Sequence, residues 1–415
     1  MPLDLRSARR YIVAAAVAAL VLRLAFGLLY WVGKPLTHDE REYLALAASL
    51  SQGRGFTYPP THETGTAQQF GRAPGYPVFL AAIGAGAQPH EHVPTRVKVA
   101  QAAIGALTVW IIGTIAFKAS GPRAGVAAAV TAAVYPPLVW IPSYAFSETL
   151  YSAGALATAS VLQAGVERTE AAPRNRSGAL IAFGAGLLAG VTILIRPAML
   201  LFVPLAVAWL IVRRRRVLLA VLLLAGAVAA VAPWTARNLR VYGAFVLIAS
   251  EGGVTFWTGN HPLARGEGDL AANLDLKRAE LEFRRAHPGL TPEQLEPLYY
   301  RDALAHIAEH PVQWLGLLAR KAFFTVVPAG PSYTLHSMRY WAASVISYAV
   351  LLVFAAAGGR TLWHSRRRPT ALLLLGAASV LMCLVFFPQE RFRIPVIDPV
   401  LIVCAAALAA RARDA

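Results

Sequence analysis

Cysteine is nearly missing from this chain: Cys383 and Cys404 are the only two. Both lie in apolar runs, so they read as packing residues rather than as a disulfide or a thiolate metal site. Charge is also scarce. Only 15% of the 415 residues are charged, against roughly 25% in soluble domains, and 57% are hydrophobic. That balance excludes a string of soluble domains, although the length alone has room for two or three. Acidic residues are the rarer sign, 22 against 39 lysines and arginines, which leaves a net charge of +17. Internal repeats and low-complexity stretches are missing too, so the repeat signature of many secondary transporters is not found.

What is present is a series of apolar runs. Residues 11–32 are apolar apart from Arg23 and form a first membrane span. This run exceeds the roughly 7–15 residues of a signal-peptide core, so it reads as a retained anchor. Further apolar runs cover 75–88, 97–117, 124–141, 149–164, 180–195, 199–212, 217–231, 341–357, 371–387 and 396–410. The fold expected is an all-α polytopic membrane protein, one domain over 1–415, with roughly 10–12 transmembrane helices.

The basic residues do not form one face, which argues against nucleic-acid binding. They sit in short connectors: Arg6, Arg9 and Arg10; 213–216; Arg360 with 366–368; Arg411 and Arg413. Each group flanks an apolar run and marks the inner side of a plasma membrane. That places loops 34–72, 235–340 and 388–393 outside, facing the periplasm or cell exterior. Parity then fails once, and the short run 75–88 is the candidate for a segment that does not cross.

Two outer loops have soluble character. In the first, Leu44, Ala47, Ala48 and Leu50 predict a short interfacial helix ended by glycine, with Asp39 and Glu40 at its N-terminus, where the helix dipole favours negative charge. In the second, Thr291-Pro292-Glu293-Gln294 predicts a helix start with Thr291 as cap and Gln294 closing a capping box, running to Glu309 before His310-Pro311. The apolar stretch 314–327, interrupted by Arg320 and Lys321, reads as a helix lying in the outer interface. The glycosylation-type run Asn175-Arg176-Ser177 falls in a loop that reads as inside.

Several polar residues break the apolar pattern where chemistry is expected. Asp39-Glu40 stands just past the first span, where a carboxylate is cheap and able to act as a base toward a substrate held in lipid; the plainer reading is a pair of helix caps. Arg72, in Arg72-Ala73-Pro74-Gly75-Tyr76-Pro77, either snorkels to headgroups or faces the same cavity. Glu148 follows a proline-rich break and reads either as a functional acid in an apolar region or as part of a break at the outer surface. Arg196, between two apolar runs, is either a simple end-of-helix anchor or a bidentate partner for a lipid phosphate. Arg237, Arg391 and Arg393 lie at outer exits, against the positive-inside bias. An anionic ligand on that face accounts for the exception, a solvated turn being the alternative.

Taken in order, Asp39-Glu40, Tyr43, Arg72-Ala-Pro-Gly-Tyr-Pro, Ser147-Glu148, Leu194-Ile-Arg196-Pro197, Pro233-Trp234-Thr-Ala-Arg237-Asn238 and Arg391-Phe-Arg393-Ile-Pro395 resemble the bacterial members of glycosyltransferase family 39. These are GT-C fold enzymes related to protein O-mannosyltransferases and the aminoarabinose transferase of lipid A. The resemblance covers nearly the whole chain and implies a GT-C-like bundle with outer interfacial helices. It implies transfer of a sugar from a polyprenyl-phosphate donor to a glycan, lipid or protein hydroxyl, with inversion. Asp39 is implied as general base with Glu40 beside it. Arg72, Tyr76 and Glu148 are implied in the active-site cavity, and Arg196, Arg237, Arg391 and Arg393 around the donor phosphate. Phe392 stands where the aminoarabinose transferase has an aromatic residue before the last outer proline. No metal is required by this scheme, although Asp39, Glu148 and His38 offer ligands for a divalent ion. A lipid-linked glycan ligase or polymerase using a diphosphate donor, and a transporter, are the competing readings.

Overall fold

A computed structural model of the chain describes residues 4–58, 72–86, 90–172, 176–213, 215–268, 273–327, 338–365 and 367–411. Asn175, Arg214, Arg366 and Arg413, used in the sequence reading, lie outside these residues, as do parts of both outer loops. Every regular element described is helical. In chain order these are α1 (Leu5–Ala25), α2 (His38–Ser51), α3 (Gly75–Ala82), α4 (Thr95–Ser120), α5 (Pro122–Val134), α6 (Pro136–Trp140), α7 (Glu148–Ala171), α8 (Ser177–Ile195), α9 (Phe202–Val212) and α10 (Val217–Tyr242). Then follow α11 (Gly252–Asn260), α12 (Leu274–Arg285), α13 (Pro292–Glu309), α14 (Pro311–Val326), α15 (Met338–Trp363), α16 (Thr370–Val385), α17 (Glu390–Arg393), α18 (Ile397–Ala406) and α19 (Leu408–Arg411).

The chain is a multi-pass membrane protein. Among the described residues, five helices are long and apolar enough to cross a bilayer: α1 with the π-helical turn that extends it to Tyr30, α4, α8, α10 and α15. Helices α5 and α6, with the turn that follows them, form a sixth candidate bent by 63°. The apolar stretches Pro197–Val212, Thr370–Val385 and Ile397–Ala410 are shorter. By length and composition this is fewer than the 10–12 spans expected: the three stretches just named fall short in length, and α3 and α7 do not pass for two further physical reasons. Helix α3 has only 8 residues, about 12 Å at 1.5 Å per residue, too short to cross. Helix α7 has 24 residues, but its Thr, Ser and Gln side chains dilute its apolar character, and it is packed inside the bundle between α4, α8 and α16 rather than turned to lipid.

Helices α7 and α8 form an antiparallel hairpin, which returns Arg196, the residue capping the C-terminus of α8, to the edge where α7 begins at Glu148. Arg168 lies in the last turn of α7, about 30 Å further along at helical rise. The hairpin therefore carries acid and base at one membrane edge and a basic end at the other.

Arg23 lies in the middle of the first span and is 2% exposed. It neither snorkels nor pairs with a carboxylate. Its guanidinium donates to the carbonyls of Ala132 and Ala133 at 3.2 Å each and of Ala19 at 3.1 Å. Ala132 and Ala133 lie in the last turn of α5, where Pro136 and Pro137 deny them the next helical donors. A cation at a helix C-terminus also meets the negative end of its dipole. Lys321 on α14 does the same for α16: fully buried, its Nζ donates to the Leu384 carbonyl at 3.0 Å and to Asn260 Oδ1 at 2.9 Å. The stretch 314–327, expected to lie in the interface, is helical, and its Lys321 faces inward. Helices α11–α13 share a small core of their own around Trp257, Leu276, Leu295, Tyr299 and Ala303.

Candidate active site

Local chemistry fixes the start of α2. Thr37 caps it, and Glu40 closes a capping box, accepting from the Thr37 amide at 2.8 Å and hydroxyl at 2.9 Å. The other Glu40 oxygen accepts from the Ala145 amide at 2.9 Å. Both oxygens of Glu40 are therefore engaged in holding α2 against the loop before α7. The expectation that Glu40 joins Asp39 in chemistry meets a side chain that turns into the scaffold.

Asp39, one position earlier, turns the other way. Its Oδ1 accepts from Arg72 at 3.1 Å and its Oδ2 from Arg391 at 2.5 Å. Burial by itself raises this carboxyl; the charges of Arg391 and then Arg72, with the hydrogen bonds they donate, outweigh it and hold Asp39 well below the usual carboxylate range. Arg72 also pairs with Glu42 and, at 3.5 Å, with Glu251 at the N-terminus of α11, and lies 4.8 Å over the Tyr43 ring. Asp39, Glu42 and Tyr43 share one face of α2 because residues three and four apart meet on a helix. Burial raises the Glu251 carboxyl against the opposing charge of Arg72.

Arg72 reaches this place because its segment packs tightly on the end of α8. A Cβ on Gly75 would stand 2.8 Å from Ile195 Cγ1 and 2.9 Å from its backbone nitrogen and Cα. Glycine there permits the contact, and the next residue after Ile195 is Arg196.

Arg196 forms an ion pair with Glu148 Oε1 at 2.8 Å and donates to Ser147 Oγ at 3.1 Å. Glu148 is 2% exposed, and the Nε of Arg391 stands 3.9 Å from the same oxygen. Phe392 lies between the two cations, its ring 4.7 Å from the Arg196 guanidinium and 5.3 Å from that of Arg391, and Phe146 backs Arg391 at 5.2 Å. Three guanidiniums and four carboxylates thus meet at one edge of the bundle, with an aromatic floor under two of the cations.

The remaining expected residues stand elsewhere. Arg393 is two residues from Arg391 on α17, and at 100° per residue the two point to nearly opposite sides. Arg393 enters the core, where it pairs with Asp398 at 2.8 Å and lies 3.5 Å from the centre of the Tyr348 ring; Tyr135 donates to the other Asp398 oxygen at 3.0 Å. Arg237 stacks on Trp234 and donates to Asn238 and Tyr242, none of which belongs to the cluster. Tyr76 is fully buried behind the cluster, edge-on to Tyr43 at 4.9 Å and donating to Gln101 at 3.2 Å. Among the described residues, no group of three or more His, Cys, Asp or Glu is arranged to hold a metal ion. The suggested trio does not converge: His38 is exposed and faces Glu42, and the oxygens of Asp39 accept from guanidiniums.

No family model and no curated protein sequence matches the chain. Solved structures do. The archaeal oligosaccharyltransferase AglB from Archaeoglobus fulgidus, in complex with an inhibitory peptide and a dolichol-phosphate, aligns over 96% of this chain and 50% of its own, at 16% identity and a TM-score of 0.56. The same organism's oligosaccharyltransferase tethered to an acceptor peptide aligns over 96% and 49%, at 16% identity and a TM-score of 0.57. A third structure, in complex with Zn and sulfate, gives 15% identity and a TM-score of 0.56.

The chain has a GT-C fold. It spans about half the length of the oligosaccharyltransferases it matches. At such identity the likeness is one of fold, so the chemistry of this GT-C bundle rests on its own side chains.

Proposed function

We propose that this chain is a membrane glycosyltransferase that moves a sugar from a polyprenyl-phosphate donor to a hydroxyl acceptor at the outer face of the membrane. The observation that carries the reading is the adjacency of a carboxylate and a guanidinium pair: Asp39 on Arg391, and Arg391 with Arg196 around Phe392 and Glu148. A lipid tail leaves its phosphate at the membrane edge, where two guanidiniums suit it bidentately. The presence of dolichol-phosphate in one AglB structure and of an acceptor peptide in another supports a lipid-phosphate carrier meeting an acceptor on such a bundle.

In this scheme Asp39 takes the proton of the acceptor hydroxyl. The oxygen attacks the anomeric carbon opposite the phosphate, and the bond from carbon to phosphate oxygen breaks with its electron pair going to the phosphate. Arg196 and Arg391 hold the charge that develops there. One displacement inverts the anomeric centre. Glu148 sets the two arginines, and Arg72 sets Asp39.

The test is sugar transfer by the purified chain in liposomes, over a panel of radiolabelled polyprenyl-phosphate sugars with diphosphate-linked donors alongside, wild type beside Asp39→Asn. Transfer from a monophosphate donor that collapses in the variant while donor binding persists supports the reading. Equal transfer by both removes Asp39 as base, and turnover confined to diphosphate donors favours a ligase or polymerase.

A further inference from the structure

Asp39 as it stands in the structure is a poor base. Its two oxygens accept from two different guanidiniums, at 3.1 Å and 2.5 Å. The same Arg391 is one of the two cations placed to meet a phosphate. Arg391 therefore has two anionic customers, while Arg72 has none to spare: it is already shared among Asp39, Glu42 and Glu251. The cluster carries more carboxylates than guanidiniums, so an arriving anion gains a cation only by displacing a carboxylate from it.

Resting on the donor reading above, we infer that the donor phosphate replaces Asp39 on Arg391, and that this exchange turns Asp39 into a base. Arg72, held by Glu42 and Glu251, keeps Asp39 Oδ1 and fixes its orientation while Oδ2 becomes open to the acceptor hydroxyl. The base is then available only when a donor is present, which protects a lone acceptor from futile proton transfer. The proton balance also gives a reset. After transfer, Asp39 is neutral and the leaving lipid phosphate carries a second negative charge, so Asp39 no longer competes with it for Arg391. Once Asp39 passes its proton to water, it regains its charge and competes with the product phosphate for Arg391 again, so dilution of the product into the bilayer completes the reset. The charged and titratable groups facing Asp39 in this exchange are Arg72, Arg391, Glu42, Glu251, Glu148, Glu40 and Tyr43.

The chain has seven aspartates, so carbon-13 labelling of aspartate carboxyls in the full chain in nanodiscs gives a resolvable spectrum, with Asp39 assigned through Asp39→Asn. The probe is undecaprenyl phosphate without sugar, its binding read by phosphorus-31. Without lipid, Asp39 is expected to stay ionised through the acid range. With bound lipid, its midpoint rises by about 1–3 pH units, the scale of losing one adjacent cation. Arg391→Ala shows the raised midpoint without lipid and no further rise with it. Bound lipid with an unmoved Asp39 midpoint in wild type overturns the exchange and leaves the donor reading standing. No binding of undecaprenyl phosphate at any concentration overturns both.

Discussion

Asp39 and Arg391 are 352 positions apart in sequence and 2.5 Å apart in space. The contact joins the first turn of α2, just after the first span, to the four-residue helix α17. It gives the proposed base and the proposed phosphate ligand one shared hydrogen bond. Four further expectations follow from how the residues around it are engaged.

The two adjacent acids separate cleanly by phenotype. Asp39→Asn is expected to lower kcat by about 100- to 10,000-fold, the span for a lost general base, with the thermal midpoint close to wild type. Glu40→Gln is expected to do the reverse: a loss of about 0.5–2 kcal/mol, typical of a lost helix cap, with kcat reduced far less. Steady-state kinetics and thermal unfolding on both variants check this.

Arg196→Lys keeps the charge but loses the planar fork and the stacking on Phe392. Donor affinity is expected to fall about 10- to 100-fold, the value of one or two charge-assisted contacts. A binding titration with undecaprenyl phosphate measures it, and an unchanged Kd removes Arg196 from the phosphate site.

Asp398→Ala leaves Arg393 buried beside Tyr348 without its carboxylate. The expected cost is about 3–5 kcal/mol, seen as a lowered thermal midpoint. Replacing both partners by apolar residues of similar volume is expected to restore most of it. In the folded fraction the KM for donor stays as in wild type, because Arg393 faces the core. A selective rise in KM returns Arg393 to the phosphate site.

Glu296 on α13 accepts from the Gly253 amide at 3.2 Å at the start of α11. Burial, reinforced by Glu293 and Glu251 and opposed by the Gly253 and Gly252 amides, raises its carboxyl from 4.5 to about 7. The folded state therefore binds this proton more tightly than the unfolded state. The α11–α13 junction is expected to be firmest below pH 4.5 and to loosen as pH rises through about 7. Hydrogen-exchange protection of the Gly252 and Gly253 amides, corrected for intrinsic rates, reads this directly, and Glu296→Gln should flatten the dependence.

Much of this was legible in the chain because caps and charges are local signals. Thr291, Pro292 and Gln294 give the start of α13, and the structure has the same capping box and the same end at Glu309. Asp39, Arg72, Glu148, Arg196 and Arg391 each interrupt an apolar pattern, and the structure brings these five together. Glu42 carried a signal that went unread, since it lies three residues from Asp39 on one helix face. Glu251 carried none: it sits in a loop, and its relation to Arg72 exists only through the fold. Arg391 and Arg393 were grouped because they share a turn, and only the phase of α17 separates them. The partners of Arg23 were invisible, because backbone carbonyls have no sequence signature.

The Arg23 contact also has a history in time. Besides Ala19 in its own helix, its carbonyl partners lie 109 and 110 residues downstream. At about 5–20 residues per second of synthesis, roughly 5–20 s separate the emergence of α1 from that of the end of α5. For that interval the guanidinium has no helix end to bind, and a bilayer does not tolerate it at mid-depth without company. The first span must therefore wait, shallow, tilted or sheltered by the insertion machinery, until the fifth helix arrives to draw it in.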